Sequence, residues 1–222
     1  MRVVSLVPSV TETLLAWGVT PVACTRFCEQ PQLRHVGGTK NPDLRAIADL
    51  EPDLVVVDEE ENRREDHDEL VAAGLRVHAL AVRSVRDVEE QLPALADAVG
   101  ATPGPLAPSR PAPRPTTRAF VPIWRRPWMG LGPGTYGASL LELLAITTVP
   151  PDGGRYTEVA LDEVGQARPD VVLVPSEPYD FTDTHLVELG DVAPTIRVDG
   201  KDLFWWGVRT PGAVERLAAA IP

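Results

Sequence analysis

The chain has 222 residues, enough for one large domain or two small ones, and 44% of them are hydrophobic, which is typical of a protein that folds. Its 21 basic and 32 acidic residues give a net charge of −11. Such a surface repels phosphates, which excludes nucleic acids and anionic membranes as partners. A neutral or cationic small ligand fits the charge better.

The N-terminal stretch MRVVSLVPSVTETLLAWGVT combines one basic residue with an apolar run, as a secretion signal does. Pro8, Glu12 and several hydroxyl residues interrupt that run, which favours folded amphipathic structure over a leader. No other stretch approaches the roughly 18 apolar residues that span a bilayer. The sequence therefore predicts a cytoplasmic protein with no membrane span. An exported protein, periplasmic or extracellular, whose leader lies upstream is the alternative left open.

Cysteine and histidine, the side chains that bind zinc and other transition metals most often, are few. Cys24 and Cys28 are the only cysteines and lie four residues apart, in neither a CxxC nor a paired zinc spacing, so we expect free thiols. The histidines follow neither an HxH nor an HExxH spacing: His35, His67, His78 and His185. No preformed metal site and no required cofactor is predicted, and the identity of any bound metal is left open. A single imidazole is able to serve as axial ligand to a chelated metal.

In the first half of the chain, short apolar runs alternate with helical patterns. A strand over 3–7 is followed by a helix that a capping box of Ser9 and Glu12 begins and Gly18 ends. Further strands are predicted over 22–24, 54–57 and 77–80, with helices over 44–48, 65–73 and 84–99. Apolar strands separated by helices predict parallel βαβ units.

Residues 101–117, ATPGPLAPSRPAPRPTT, have no hydrophobic periodicity and resist both helix and strand. They predict a Pro-rich linker between an N-terminal βα lobe (1–100) and a C-terminal βα lobe (118–222).

The second half repeats the alternation of short apolar strands and helices. Strands are predicted over 119–123, 171–174 and 196–198, and helices over 138–144, 161–167, 184–189 and 211–220. The heptapeptide RPDVVLV of the second half echoes EPDLVVV of the first at an offset of 117 residues. The predicted fold class is α/β, with two similar lobes, each a short, mostly parallel sheet flanked by helices, and a cleft between them.

Ligands of parallel sheets bind beyond the carboxyl ends of the strands, so the loops there are the candidate walls of the cleft. Large flat rings in the second half suit stacking on a planar macrocycle, and polar loops suit its rim. The alternative for each ring is that it fills the core of the second lobe or the lobe interface. The candidate ligand-binding residues are Ser9, Glu60, Asn62, Trp124, Trp128, Tyr136, Glu177, Tyr179 and Trp206.

Four stretches carry a resemblance to a known family: RVVSLVPSVTETLLAWG, VGGTKNPDLRAIADLEPDLVVVDEEENRREDHDEL, PIWRRPWMGLGPGTYGASLLELL and WWGVRTPGAVERL. Together they resemble the cobalamin- and siderophore-binding proteins of bacterial ABC importers, and most closely a branch of helical-backbone metal receptors that lacks a signal peptide. The resemblance implies a two-lobed receptor that binds a corrinoid or similar metal chelate and delivers it to an ABC permease. Family members join their lobes by one long helix, whereas this chain carries the Pro-rich stretch.

Catalytic patterns are absent from the sequence. The serines lie in no GxSxG motif, and neither cysteine has a histidine at a catalytic spacing. The predicted function is therefore binding of a small ligand without chemistry. The alternatives are an enzyme that uses Glu60 and Glu177, which occupy equivalent places in the two halves, as acid and base, and an exported importer receptor.

Overall fold

The computed structural model describes residues 1–104, 117–150 and 153–221, so most of the predicted linker, residues 105–116, lies outside the described residues. The chain forms two compact units. The first comprises Met1–Val82, Arg86–Leu106 and Trp206–Val208, and the second comprises Arg83–Val85, Ala107–Trp205 and Arg209–Pro222.

The first unit contains one five-stranded parallel sheet. Its strands are β1 (Val3–Ser5), β2 (Ala23–Cys24), β3 (Arg34–His35), β4 (Leu54–Asp58) and β5 (Val77–Leu80). They lie in the order β3-β2-β1-β4-β5, and every neighbouring pair is parallel. The helices are α1 (Pro8–Ala16), α2 (Leu44–Ala48), α3 (Arg64–Ala72) and α4 (Val85–Val99).

The core of this unit explains its unbroken apolar strands. All five residues of β4 are buried, which is what a parallel sheet covered on both faces requires. Side chains from the strands pack with α2 and α3 in one cluster: Val4, Leu6, Ala23, Val36, Ile47, Val55, Val57 and Leu70.

The second unit contains a four-stranded parallel sheet and a small antiparallel one. The strands are β6 (Thr117–Phe120), β7 (Pro122–Trp124), β8 (Met129–Leu131), β9 (Ile146–Thr148), β10 (Tyr156–Glu158), β11 (Val171–Pro175) and β12 (Thr195–Val198). The parallel sheet has the order β12-β11-β6-β9, and the antiparallel sheet has the order β10-β8-β7. The helices are α5 (Tyr136–Glu142), α6 (Leu161–Gln166), α7 (Asp183–Gly190), α8 (Gly200–Phe204) and α9 (Thr210–Ala220).

The repeated Pro-Asp heptapeptide, at 51–57 and 168–174, has the same local structure in both units. In the first, Asp53 accepts a hydrogen bond from the backbone N–H of Arg2 at 2.6 Å. In the second, Asp170 accepts from the N–H of Arg118 at 2.7 Å. The aspartate of each Pro-Asp motif thus ties the start of one central strand to its parallel neighbour. The predicted α/β class with two similar lobes is confirmed.

Two local predictions are wrong. Ser9 is not the N-cap of α1, because the helix begins at Pro8 with Val7 as N-cap and no side-chain cap. Proline is favoured in the first helical turn since it has no N–H to satisfy there. The strand predicted over 119–123 is two strands, since the chain leaves the parallel sheet after Phe120 and pairs antiparallel through Pro122 and Trp124.

Close packing of α5 on α8 gives a first prediction. A Cβ added to Gly137 would lie 2.7 Å from the carbonyl oxygen of Leu203, a backbone atom that has little room to move. Gly137→Ala should lower the free energy of unfolding by about 1–3 kcal/mol. The measurement is urea unfolding followed by circular dichroism.

The control is Gly165→Ala in α6, where nothing lies within 4 Å of the added carbon. There the better helix propensity of alanine should leave the stability unchanged or raise it by up to about 1 kcal/mol. Equal unfolding midpoints for the two variants would contradict the described contact.

Candidate ligand-binding site

In each unit the parallel strands end at one edge of the sheet, and the loops at that edge carry several of the candidate residues. Ser9 and the segment from Glu59 to Asn62 follow β1 and β4 in the first unit. Glu177 and Tyr179 follow β11 in the second unit, where Trp124 ends β7. The cleft predicted between the lobes stays a prediction.

Trp124 and Tyr179 form an accessible aromatic pair in the second unit. Their ring centroids are 5.1 Å apart and the rings meet edge to face at 71°. The Trp124 side chain is 45% exposed, and Tyr179 is half-buried. An edge-to-face pair leaves one indole face free to stack on a flat guest.

Buried rings support this pair from beneath. Phe181 lies 4.9 Å from Tyr179 and stacks on Trp128 at 6.0 Å with 9° between the planes. His185 of α7 contacts Trp128, Tyr179 and Phe181 at 5.7–6.2 Å between ring centroids. Trp128 and Phe181 belong to the core of the second unit, so the accessible pair rests on a rigid aromatic base.

Arg125 adds a cation to the same cluster. Its guanidinium lies 4.7 Å from the ring centroid of Trp128 and donates to Glu188 Oε2 at 2.8 Å. A cation over an indole face is favourable, and more so when water is excluded. The ion pair with Glu188 holds the guanidinium against the ring and partly neutralises it.

Glu177 is held by a specific contact. Trp205 donates its indole N–H to Glu177 Oε1 at 2.7 Å. Lys201 and Arg209 lie over the same indole at 5.0 and 5.9 Å from the centroid. A carboxylate, an indole and two cations therefore occupy one surface between the β11 loop and α8.

A buried carboxylate anchors that surface. Asp202 is 2% exposed and accepts from Arg216 at 2.6 and 2.8 Å and from Arg209 at 3.3 Å. Burial alone would raise the pKa of Asp202, but hydrogen bonds and charge from Arg216 and Arg209 hold it below its ordinary value. Asp202 is therefore charged at neutral pH and fixes Arg209 beside the indole of Trp205.

Three of the predicted aromatic residues lie in the interior. Trp128, Tyr136 and Trp206 are 8%, 5% and 4% exposed. The Tyr136 hydroxyl is hydrogen-bonded to Thr210 at 2.9 Å, and burial raises its pKa above the ordinary value. These positions are those of packing residues in the structure described, and direct ligand contact by them stays a prediction.

Asn62 is buried at the edge of the first sheet with all its polar groups used. Its amide donates to the carbonyls of Thr39 and Leu6 at 2.9 and 3.2 Å, and its oxygen accepts from the N–H of Asp58 at 2.9 Å. Asn62 thus joins three loops of the first unit. Ser9 is buried as well, in the first turn of α1.

The acidic segment that follows β4 is partly internal. Asp58 is fully buried and accepts from the N–H groups of Glu60 at 2.9 Å and Val82 at 3.1 Å. Burial raises its pKa to about 6, against those two hydrogen bonds. Burial also raises the pKa of Glu61, with Lys40 opposing that shift. Both oxygens of Asp58 have backbone donors, which gives it a structural role.

The remaining candidate of this segment, Glu60, is half-buried, and its carbonyl accepts from the ammonium of Lys40 at 2.6 Å. Among residues 1–104, 117–150 and 153–221, no group of three or more His, Cys, Asp and Glu side chains is arranged to hold a metal ion. Over the same residues, no helix has the length and apolar character needed to cross a membrane.

The comparisons with known proteins agree with this architecture. Residues 3–102 match the periplasmic binding protein family. The vitamin B12-binding protein of Salmonella choleraesuis (strain SC-B67) is 29% identical over 100 residues, which are 42% of this chain and 38% of that protein. The match thus spans less than two fifths of this relative's length.

Solved structures match over 99% of the chain. They include the periplasmic vitamin B12 binding protein of Vibrio cholerae, with 18% identity, a TM-score of 0.78 and 95% of its own chain covered. A periplasmic heme binding protein from Pseudomonas aeruginosa has 19% identity and a TM-score of 0.78, with 91% of its own chain covered. The chain has the fold of the periplasmic binding proteins.

The family match over residues 3–102 confirms the predicted resemblance to this family of binding proteins, and the solved structures confirm its fold over the rest of the chain. The branch that lacks a signal peptide stays a prediction. The matching proteins are named for binding, not for catalysis. The family description and the names of these solved structures describe periplasmic proteins, so the cytoplasmic prediction is not supported by them.

Sequence reasoning did not select Arg26 and Phe27 in the first unit. They lie in a 3₁₀ turn (Arg26–Cys28) directly after β2, and the guanidinium lies 4.7 Å from the centroid of the phenyl ring. Phe27 is 50% exposed. The position of Phe27, an aromatic residue just beyond a strand of a parallel sheet, is the sequence signal that points to it.

The buried carboxyl of Asp58 gives a pH prediction. Its pKa is 3.8 in the unfolded reference and about 6 in the folded protein, so between these values the folded state binds more protons. Its contribution to stability therefore falls as the pH rises from about 4 to about 6, by about 3 kcal/mol at roughly 1.36 kcal/mol per pKa unit. Asp58→Asn cannot titrate and is the reference.

Unfolding free energies of both proteins, measured from pH 4 to pH 7, provide the test. The value for Asp58→Asn minus that for the wild type should increase over this range by the same amount. A difference that stays constant with pH would show that Asp58 titrates as an ordinary exposed carboxyl.

Proposed function

We propose that the protein is a receptor that binds a metal chelate with a planar macrocycle, a corrinoid or heme, and that the Trp124–Tyr179 pair contacts its ring. The observation that carries this proposal is an exposed indole held edge to face against a tyrosine, on a buried aromatic base. Exposure of a large apolar ring to water is unfavourable, and a planar ligand that stacks on the ring removes that exposed surface from water.

The neighbouring polar groups suit the periphery of such a guest. Lys201 and Arg209 present positive charge over Trp205, and corrinoids and hemes both carry polar or anionic side chains around the ring.

The sequence relatives and solved structures support this ligand class. Their names specify vitamin B12 for two of them and heme for another. We infer that delivery to an ABC permease outside the cytoplasm completes the function, as the family resemblance implies. The ligand acts as cargo in this proposal and not as a resident cofactor.

Catalysis by Glu60 and Glu177 is the alternative from a different class. Glu177 accepts from the Trp205 indole, a contact suited to fixing a loop. The carboxyl whose pKa is raised to about 6, Asp58, has both oxygens occupied by backbone N–H groups. Neither arrangement favours general acid or base catalysis, for which an accessible carboxyl is needed.

Titration of the purified chain with cyanocobalamin and, separately, with ferric heme tests the proposal. We expect one of them to bind, with a change in its visible spectrum and quenching of tryptophan fluorescence. Trp124→Ala should weaken that binding by about 5- to 30-fold, because a stacked ring contributes on the order of 1–2 kcal/mol.

Tyr156→Ala is the matched control, because Tyr156 of β10 is 48% exposed and thus as accessible as Trp124. It should leave the affinity unchanged. Absence of binding for both chelates would refute the proposal, and an equal loss of affinity in the two variants would refute the role of Trp124.

A further inference from the structure

His185 is a polar ring inside the aromatic cluster of the second unit. It meets Trp128 and Phe181 edge to face, at 82° and 86°, and lies 5.7 Å from Tyr179 between ring centroids. Its side chain is half-buried. Each of the two imidazole nitrogens is either a donor or an acceptor, so the position of the proton decides what the ring binds.

The Nδ1 atom of His185 is an acceptor. The backbone N–H of Thr182, the N-cap of α7, donates to it at 3.1 Å, and a backbone N–H is always a donor. The Thr182 hydroxyl lies 3.3 Å from the same nitrogen. An imidazolium would place a second hydrogen against the Thr182 N–H, so the geometry requires a neutral ring with its proton on Nε2.

This tautomer determines what Nε2 offers to a ligand. Within the described part of the chain, the enclosed side-chain nitrogens and oxygens without a hydrogen-bond partner are Trp17 Nε1 and Arg125 Nε. Nε2 of His185 has no partner there either, and it is therefore in contact with solvent. It is an accessible N–H donor without a lone pair for a metal ion, so His185 in this tautomer is not an axial ligand.

Positive charge lies close to this donor. The guanidinium of Arg125 is 4.7 Å from the centroid of Trp128, the ring that His185 meets edge to face. Glu188 accepts from that guanidinium at 2.8 Å and thereby holds it in place. An N–H donor near a fixed guanidinium suits a carboxylate, which forms stronger hydrogen bonds than a neutral carbonyl does because it is charged.

We propose that His185 binds a carboxylate on the periphery of the macrocycle through its Nε2–H, so that the protein prefers a ring with free carboxylates over one whose side chains are amides. This inference rests on the proposed function, in which the ring stacks on Trp124. Trp124 and His185 both contact Tyr179, at 5.1 and 5.7 Å between ring centroids. The donor is thus one aromatic ring away from the stacking indole.

The tautomer is tested on the protein without ligand. In NMR spectra of the chain with isotope-labelled histidine at neutral pH, the chemical shift of each ring nitrogen shows whether it carries a proton. The signals absent from His185→Gln assign the residue. We expect the proton on Nε2, and a proton on Nδ1 would overturn the proposal whatever the chain binds.

Titrations of the wild-type chain with three macrocycles test the preference. Ferric heme carries free carboxylates, its dimethyl ester carries none, and the ring side chains of cyanocobalamin are amides. We expect ferric heme to bind about 5- to 20-fold more tightly than its dimethyl ester, because the ester loses a charge-assisted hydrogen bond. Equal affinity for heme and ester, or binding of cyanocobalamin alone, would overturn the preference and leave the proposed function in place. Binding of none of the three would refute both.

Two substitutions at position 185 separate the donor from the helix cap. Glutamine and glutamate at the third position of a helix both accept from the N-cap N–H, so both replace the contact of Nδ1 with Thr182. Only glutamine keeps an N–H donor. We expect His185→Gln to bind ferric heme within about threefold of the wild type, and His185→Glu to bind it at least about tenfold more weakly.

Thr184→Glu is the control for the added charge, because Thr184 is exposed in the same turn of α7 and His185 stays in place. It should weaken heme binding by less than about threefold. An equal loss in Thr184→Glu and His185→Glu, or full affinity in His185→Glu, would show that the Nε2–H does not bind the ligand. Since the tautomer and the comparison of heme with its ester are measured on the wild-type chain, a variant that fails to fold does not affect the test.

Discussion

The structure depends on one constraint: each unit is built around an inner parallel strand that is buried on both faces. In β4 every residue is buried, and so is every residue of β11. Side chains of such strands are fully occupied by packing, so chemistry is left to the loops beyond the strand ends. The aspartates of the two Pro-Asp motifs hold neighbouring strands in register and thereby align those loops.

The constraint has different results in the two units. In the second, the loop edge is aromatic, and exposed rings rest on buried ones that belong to the core. In the first unit, the loops at the strand ends contain buried polar groups, and Asn62 and Asp58 form hydrogen bonds that join these loops to one another. A rigid aromatic surface is suited to gripping a flat ring, because little side-chain freedom is lost when the guest binds.

The sequence predicted the fold where one physical cause dominates. Continuous apolar runs predict buried strands, because burial on both faces requires apolar side chains at every position. The repeated Pro-Asp heptapeptide predicts a duplicated unit, because the same sequence pattern forms the same local structure twice. The prediction that Ser9 caps α1 was wrong, because the helix begins one residue earlier, at Pro8. Both Pro8 and Ser9 are favoured at a helix start, and the local sequence pattern does not decide which of them begins the helix. The antiparallel sheet was missed because short strands such as β8 and β10 carry too few residues for a period.

The candidate site was predictable only in part. Strand ends and ring types select Trp124, Tyr179 and Glu177 from the sequence alone. Burial separates Trp128 and Trp206 from them, and burial depends on contacts between residues far apart in the chain. The partnership of Glu177 with Trp205, 28 residues away, and the place of His185 among the rings likewise follow from folding and have no local signature.

Hydroxyl-radical footprinting with and without bound chelate tests the central claim most directly, because it reports the solvent exposure of individual side chains. The account predicts that saturation with whichever of cyanocobalamin and ferric heme binds will protect Trp124 and Tyr179 from oxidation, while Tyr156 and Trp17 react as before. Unchanged oxidation of Trp124 and Tyr179 in the saturated protein would contradict it.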